Sequence, residues 1–380
     1  MKIVKIDIYN LVKEKYLLDL NINQEAITFL TGYNGTCKTS ILQAIHKTIC
    51  EFSNYNFPIV RKKWGIEIEF EDGNKIINIC FPPNKEGMDT HDFFQKHMDD
   101  ISGENLVKFF DTYQNVQDKV KSENLGIKFK DFKYLKNNEK RTETDECQTL
   151  MTIGFVNSSK NTDEKNIINS ILLYDEQISL SFKNDLKDDS ALERLDVFSQ
   201  KNNIDKTLFR QIDIYKSKNV NSILNEDIYS NLKNLIRKDS IQKFNDEFNK
   251  NLSENNIDNH SFFMNELNNF FNLTKRELKF NRLDSFYYEK NEKIIKWYDF
   301  SKGEKFLLLQ LLLAYNFRND NCIFLFDEPD AFLHIEWQQI LLSSLKKVSP
   351  NSTFIIASHS PSLISKETKI KFVNLNKYIV

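Results

Sequence analysis

The stretch Gly32-Tyr-Asn-Gly-Thr-Cys-Lys38-Thr39 lies between two patterned segments. Before it is an apolar, β-rich run, Glu25-Ala-Ile-Thr-Phe-Leu30; after it, Ile41, Leu42, Ala44, Ile45, Thr48 and Ile49 recur at helical spacing. A strand, a glycine-containing loop and a helix in that order restrict the fold more than any other feature, because they form a phosphate-binding turn of an α/β protein. The backbone N–H groups of such a loop make an anion-binding nest, and the helix behind it turns its positive end to the anion. Asn34, Gly35, Thr36, Cys37, Lys38, Thr39 and Ser40 are therefore candidate nucleotide-binding residues. Lys38 is expected to reach the β- and γ-phosphates of ATP, and the Thr39 hydroxyl to ligate Mg²⁺. One position departs from the pattern: Cys37 stands where glycine usually precedes the lysine and lets the backbone come close to the phosphates. It is either a tolerated replacement with its side chain turned away, or a thiol acidified by the helix N-terminus and Lys38.

Three later stretches complete the pattern. Cys322-Ile-Phe-Leu-Phe326 is an uninterrupted apolar run, as in a buried central strand of a parallel sheet, and it ends in Asp327-Glu328. Ligands of open α/β sheets bind at such strand ends. Asp327 is expected in the Mg²⁺ shell, and Glu328 is the candidate catalytic group that orients and polarises the attacking water. Paired carboxylates also occur in ordinary strand-end turns, but here a phosphate loop precedes them in the same chain. Phe300-Ser301-Lys-Gly303-Glu304 opens a strongly apolar helix (Phe306, Leu307 to Leu309, Leu311 to Leu313, Ala314, Phe317), with Ser301 as N-cap and Glu304 completing a capping box. The same helix start can offer the Ser301 hydroxyl and backbone N–H groups to a γ-phosphate. Thr353-Phe-Ile-Ile-Ala357 is a further buried strand, and His359 after it is a candidate γ-phosphate contact.

In this order the motifs resemble the ABC-type ATPase heads of the RecF, SMC and OLD group, which are often classed with AAA-type ATPases. The resemblance covers roughly Met1 to Phe81 and Phe286 to Val380. It includes the opening strand Lys2 to Tyr9, the hairpin Trp64 to Phe81 with its Asp72-Gly73 turn signal, and Pro329-Asp330-Ala-Phe-Leu-His334 after the carboxylates. It implies an α/β P-loop NTPase head, a mixed sheet with flanking helices, carrying an inserted α-helical lobe. It also implies an ATPase (ATP phosphohydrolase) using ATP and Mg²⁺. Ser301, Gly303 and Glu304 would then act on ATP bound to the phosphate loop of a second subunit, in an ATP-sandwich homodimer or a higher oligomer built on it. Such heads carry a glutamine between the phosphate loop and the signature that joins the Mg²⁺ shell and the attacking water. Gln177, after the apolar run Ile171-Leu-Leu-Tyr174, is the first candidate, and Gln148 the second.

The family architecture splits one nucleotide-binding fold across the chain ends. The expected division is 1–181 (phosphate loop, hairpin and a polar insertion near 82–169), 182–277 (helical insert or short coiled coil) and 278–380 (signature, carboxylate strand and histidine). In the insertion Leu106, Phe109, Phe110, Tyr113 and Val116 have helical spacing, and the polar run Lys136 to Glu146 reads as a loop. Ile228, Leu232, Leu235, Ile241, Phe244, Phe248 and Leu252 step by three and four, which fits a bundle packed on the head as well as a short protruding coiled coil. Leu278 to Trp297 reads as short strands.

Composition bounds the setting. With 40% hydrophobic and 28% charged residues, no span long enough for a bilayer and no secretory leader at Met1, a cytoplasmic, non-membrane protein is expected. Cys37, Cys50, Cys80, Cys147 and Cys322 lack metal-site spacing. His91 and His97, flanked by aspartates, read as isolated surface histidines. A net charge of −2 argues against a whole-domain grip on nucleic acid and leaves local clusters, Arg61-Lys62-Lys63 and Lys275-Arg276, as candidates.

With about twenty residues after His359, no TOPRIM nuclease of the kind that follows the head in OLD-type proteins is expected, and no HNH-like cluster is visible. The leading expectation is a sensor or scaffold ATPase of a bacterial antiphage defence system, similar to the small standalone heads of PARIS and Septu, controlling a separate nuclease or toxin effector. The alternative is a RecF- or SMC-like DNA repair ATPase that binds DNA. A third reading, prompted by Cys37, is a nucleotide-gated interaction protein without hydrolysis.

Overall fold

The computed structural model describes residues 2–9, 11, 17–23, 27–52, 64–71, 75–81, 149–154, 168–174, 177–180, 203–219, 254–281, 284–319, 322–365 and 368–378. The first half supplies β1 (Ile3–Tyr9), β2 (Leu17–Asn21), β3 (Ile27–Thr31), α1 (Lys38–Phe52), β4 (Trp64–Phe70), β5 (Lys75–Phe81), β6 (Thr149–Gly154), β7 (Asn169–Tyr174) and β8 (Gln177–Leu180). The second half supplies α2 (Asn203–Lys218), α3 (Glu254–Leu273), β9 (Lys279–Asn281), β10 (Ser285–Lys290), β11 (Lys293–Lys296), α4 (Lys302–Asn316), β12 (Cys322–Asp327), α5 (Ile335–Val348), β13 (Thr353–Ala357) and β14 (Ile370–Asn374).

Three sheets result. The largest runs β14-β3-β13-β12-β7-β8; β3, β7, β12, β13 and β14 are parallel, and β8 turns back antiparallel on β7. A second, antiparallel sheet runs β2-β1-β4-β5-β6, and a small one runs β11-β10-β9. The Trp64–Phe81 hairpin forms in register, with Trp64 opposite Cys80. Strand β6, inside the stretch expected to be a polar insertion, pairs with β5 as the last strand of that sheet.

The unbroken apolar run at 322–326 follows from burial on both faces of the large sheet. Because side chains alternate along a strand, Ile323 and Leu325 face one core while Phe324 and Phe326 face the other. The first core joins Ile41, Leu42, Ile45 and Ile49 of α1 to Ile6, Ile8, Trp64 and Ile66 of the antiparallel sheet, so α1 is sandwiched between two sheets. The second core gathers α2, α3, α4 and α5 with the small sheet. Helix α4 is buried on every side from Phe306 to Asn316, as its nearly continuous leucines require.

Helices α2 and α3 pack on the head and share its second core, through Leu208, Ile212 and Tyr215 of α2 and Phe263, Leu267, Phe270 and Phe271 of α3. Polar ties reinforce this packing: Lys305 Nζ meets Asp205 Oδ1 at 2.8 Å, and Asn316 Nδ2 donates to Gln211 O at 2.9 Å. The helical series from Ile228 to Leu252, the patch from Leu106 to Val116 and the run from Lys136 to Glu146 lie outside the described residues. So do Gln148, His91, His97 and Arg61-Lys62-Lys63. No helix among the described residues is long and apolar enough to cross a membrane.

His46 on α1 pins this helix to the large sheet. Its ring nitrogens lie 2.9 Å from Ser170 Oγ on β7 and 2.8 Å from Ser179 Oγ on β8, with Cys50 Sγ 3.3 Å away. Burial pushes the imidazole from 6.5 down to about 3, so it stays neutral in the folded protein. Below pH 6.5 the unfolded chain takes up a proton that the native chain refuses, so His46 lowers stability as the pH falls from about 6.5 toward 3. Between pH 7 and 5 this contributes a loss of about 2 kcal/mol. Denaturant titrations at both pH values should show that loss in the wild type, and a pH dependence smaller by that amount in His46→Gln. Equal slopes in the two proteins would contradict it.

Candidate functional site

The phosphate loop is held in shape by residues at its two ends. Gly32 has φ 155°, and a Cβ there would sit 2.7 Å from Thr36 Oγ1, whose side chain fills the space opposite. Gly35 is left-handed at φ 84°. Cys37 is also left-handed, at φ 67°, which is the physical reason glycine suits that position. Its Sγ lies 3.6 Å from Gly35 O, within the loop itself. Asn34 is exposed, Thr36 buried and Ser40 half-buried. A tie that the sequence did not signal comes from the far end of the chain: Asn376 Oδ1 accepts from the Tyr33 amide at 2.8 Å.

Three of the four motifs come together where the parallel strands end. Lys38 Nζ donates to Gly32 O at 3.1 Å and Tyr33 O at 3.3 Å, and lies 2.6 Å from His359 Nε2. Burial pushes the Lys38 ammonium down from its ordinary value, and the charges of Glu328 and Asp327 oppose that shift. Thr39 Oγ1 donates to Asp327 Oδ2 at 2.5 Å. A hydroxyl and a carboxylate in contact are an oxygen pair of the kind Mg²⁺ prefers. Glu328 Oε1 is 3.8 Å from His359 Nε2, and Glu328 Oε2 accepts from the His359 amide at 3.4 Å. Glu328 has a left-handed backbone, φ 47°, and its amide donates to Ala357 O at 2.8 Å, so its position is set by the neighbouring strand β13.

Ser301, Gly303 and Glu304 form a second group, tied to other partners. Ser301 caps α4 and Glu304 closes the capping box, accepting from the Ser301 amide at 2.6 Å. Glu304 is itself held by Arg276, which forms an ion pair with it, donates to Tyr288 OH at 3.1 Å and stacks over the Tyr288 ring. Arg276 is thus committed to the helix start and does not contribute to a solvated basic cluster. Gly303 packs against the segment after the carboxylates: a Cβ on it would lie 2.4 Å from Phe332 O. Phe332 is left-handed at φ 66°, half-exposed, and carries Lys302 Nζ 3.8 Å above its ring.

A Gly303→Ala change therefore forces the 329–332 segment to move. A loss of about 1–3 kcal/mol is expected from overpacking, with a larger fall in ATP turnover than in ATP affinity. Thermal unfolding and steady-state kinetics check this, and an unchanged turnover would mean the segment yields without consequence.

Gln177 opens β8 opposite Tyr174, at the end of the sheet where Asp327 also lies; its side chain is outside the described set. Several contributing residues carried no local signal. Ser358 Oγ donates to Asp330 Oδ1 at 2.6 Å, and Gln338 Nε2 donates to Leu333 O at 3.0 Å, so the segment after Glu328 is bound to the histidine loop and to α5.

A family model described as an AAA ATPase domain matches residues 1–364. "Retron Vc95 probable ATPase" from Vibrio cholerae serotype O1 biovar El Tor is 34% identical over 98 residues, covering 22% of this chain and 19% of that protein. The match thus spans less than a fifth of the relative. Among solved structures, the SMC head bound to the C-winged helix domain of ScpA has a TM-score of 0.42 at 12% identity, covering 98% of this chain and 94% of the other. The SMC head domain from Thermotoga maritima gives 0.42 at 12% identity, with coverage of 98% and 95%. Scores this low carry neither fold nor function from one chain to another.

Proposed function

The chain belongs to the AAA ATPase domain family and is an ATPase; from that premise we propose that it closes as a pair over ATP and controls a separate effector in antiphage defence. The observation that carries the catalytic half is the convergence of Lys38, Thr39, Asp327, Glu328 and His359 from three separated segments. In this reading Lys38 and the loop amides bind the β- and γ-phosphates, and His359, against Lys38, meets the γ-phosphate. Thr39 and Asp327 would hold Mg²⁺, which would supply charge neutralisation at the phosphate oxygens. Glu328 orients the water and accepts its proton. Ser301 and Gly303 would engage the nucleotide of the second copy, and Gln177 would join the Mg²⁺ shell.

The effector half rests on the retron-associated name of the 34% identical relative. The DNA-repair reading gains nothing at Lys275-Arg276, because Arg276 is engaged with Glu304.

The test is copurification of Glu328→Gln from the native host with ATP and Mg²⁺, resolved by mass. A stoichiometric nuclease or toxin supports the proposal. DNA alone, released by salt, moves the assignment to repair, and neither would remove the effector.

A further inference from the structure

Helix α4 carries one amide in the middle of its leucines, Gln310, and it is fully buried. Its Nε2 donates to Pro329 O at 2.9 Å, the carbonyl of the residue directly after Glu328. The amide orientation is determined by that partner, since a carbonyl oxygen can only accept. The other half of the amide is unsatisfied: Gln310 Oε1 is buried with no partner among the described residues. An apolar side chain of the same size would avoid that desolvation but leave the buried Pro329 O without this donor, so the glutamine answers to Pro329 rather than to the leucines around it.

We infer that Gln310 is a positioning residue for Glu328. The turn at 328–332 departs from ordinary backbone, with Glu328 at φ 47° and Phe332 at φ 66°. Such conformations persist only where surrounding contacts determine them. The Glu328 amide is held by Ala357 O and its carbonyl by the Ala331 amide at 3.0 Å; Gln310 secures the next peptide. The far end of the turn touches the same helix, where Phe332 O packs on Gly303 and Lys302 lies over the Phe332 ring. Helix α4 therefore grips the turn at both ends. A displacement of its first turn, where Ser301 and Gly303 sit, reaches Glu328 in the same chain through Gln310.

This rests on the reading of Glu328 as the group that orients water. The experiment compares wild type, Gln310→Met, Gln310→Glu and Glu328→Gln as full chains, measuring kcat, KM, ATP affinity and thermal midpoint. For Gln310→Met we expect ATP affinity within about threefold, a midpoint somewhat below wild type because Pro329 O loses this donor, and kcat at least about tenfold lower, because small misplacements of catalytic groups have large rate effects. Gln310→Glu regains a donor only when its carboxyl is protonated. Its kcat relative to wild type should therefore rise as the pH is lowered from 8 to 6, which a purely structural role would not produce.

A Gln310→Met kcat within twofold of wild type overturns the inference. If Met does not fold, a pH-independent Gln310→Glu ratio near one does the same. Wild-type turnover in Glu328→Gln would instead remove the role of Glu328 itself. A dead Glu328→Gln beside a fully active Gln310→Met separates the two failures.

Discussion

Glu328→Gln is expected to lower kcat by about 10²–10⁴ while leaving ATP binding intact. The change removes one negative charge and the capacity to take a proton, and little else. The amide is the same size, still accepts from the His359 amide, and can occupy the left-handed backbone at φ 47° as the acid does. Lys38, Thr39 and Asp327, which are assigned to the phosphates and Mg²⁺, are untouched. With hydrolysis blocked, the ATP-closed pair should accumulate and appear as a dimer by light scattering with ATP and Mg²⁺, but not with ADP. Turnover within tenfold of wild type would contradict the assignment of Glu328. Loss of turnover without dimer formation would leave that assignment standing and remove the paired mechanism.

Lys38→Ala is expected to abolish measurable ATP binding, a loss of at least about 100-fold in affinity. Hydrogen bonds to charged groups contribute about 1.5–3 kcal/mol each, and this ammonium is assigned to two phosphates. The site makes the charge costly to replace. Lys38 is buried, and Asp327 and Glu328, whose charges act on it, would face the triphosphate without a compensating cation. Calorimetric titration of ATP into folded variant measures this directly. Thermal unfolding must accompany it, because Lys38 also donates to Gly32 O and Tyr33 O and so braces the loop. An affinity within threefold of wild type would mean that the loop amides alone hold the nucleotide.

The parts of the fold readable in the sequence were those encoded over a few neighbouring residues. The loop at 32–39 has a strand before it and a helix after it; 322–326 announces a strand covered on both faces; Ser301 and Glu304 spell a capping box that forms as written. Other features depend on chain segments meeting from a distance, and no local pattern records them. The Arg276 side chain looked like part of a charged surface cluster, yet it sits on Glu304, 28 positions away. Asn376 and Tyr33 are bonded across 343 positions. Strand β6 was concealed because it lies at the end of a long polar stretch and pairs with β5 from before that stretch. Gln310 was visible as an exception among leucines, but its meaning needed the position of Pro329 O. The left-handed conformation of Cys37 is a property of the loop that the residue type alone would not suggest.

The interleaving of the large sheet has a consequence during synthesis. Strand β3, which delivers the chain into the phosphate loop, is flanked by β13 and β14; Thr28 pairs with Ile355 and Ile27 with Ile370. Both neighbours leave the ribosome only after residues 32–352 have been made, an interval on the order of tens of seconds at usual elongation rates. Throughout that time the apolar faces of β3 and α1 are without their native cover on that side. Such long-range pairing folds slowly and is prone to aggregate before it closes. A chain interrupted before residue 353 would lack β13, β14 and the histidine loop, and so could not assemble the proposed ATP site. Assembly of the proposed nucleotide site is thereby a late event in the life of each molecule, open only to chains extended past the histidine loop.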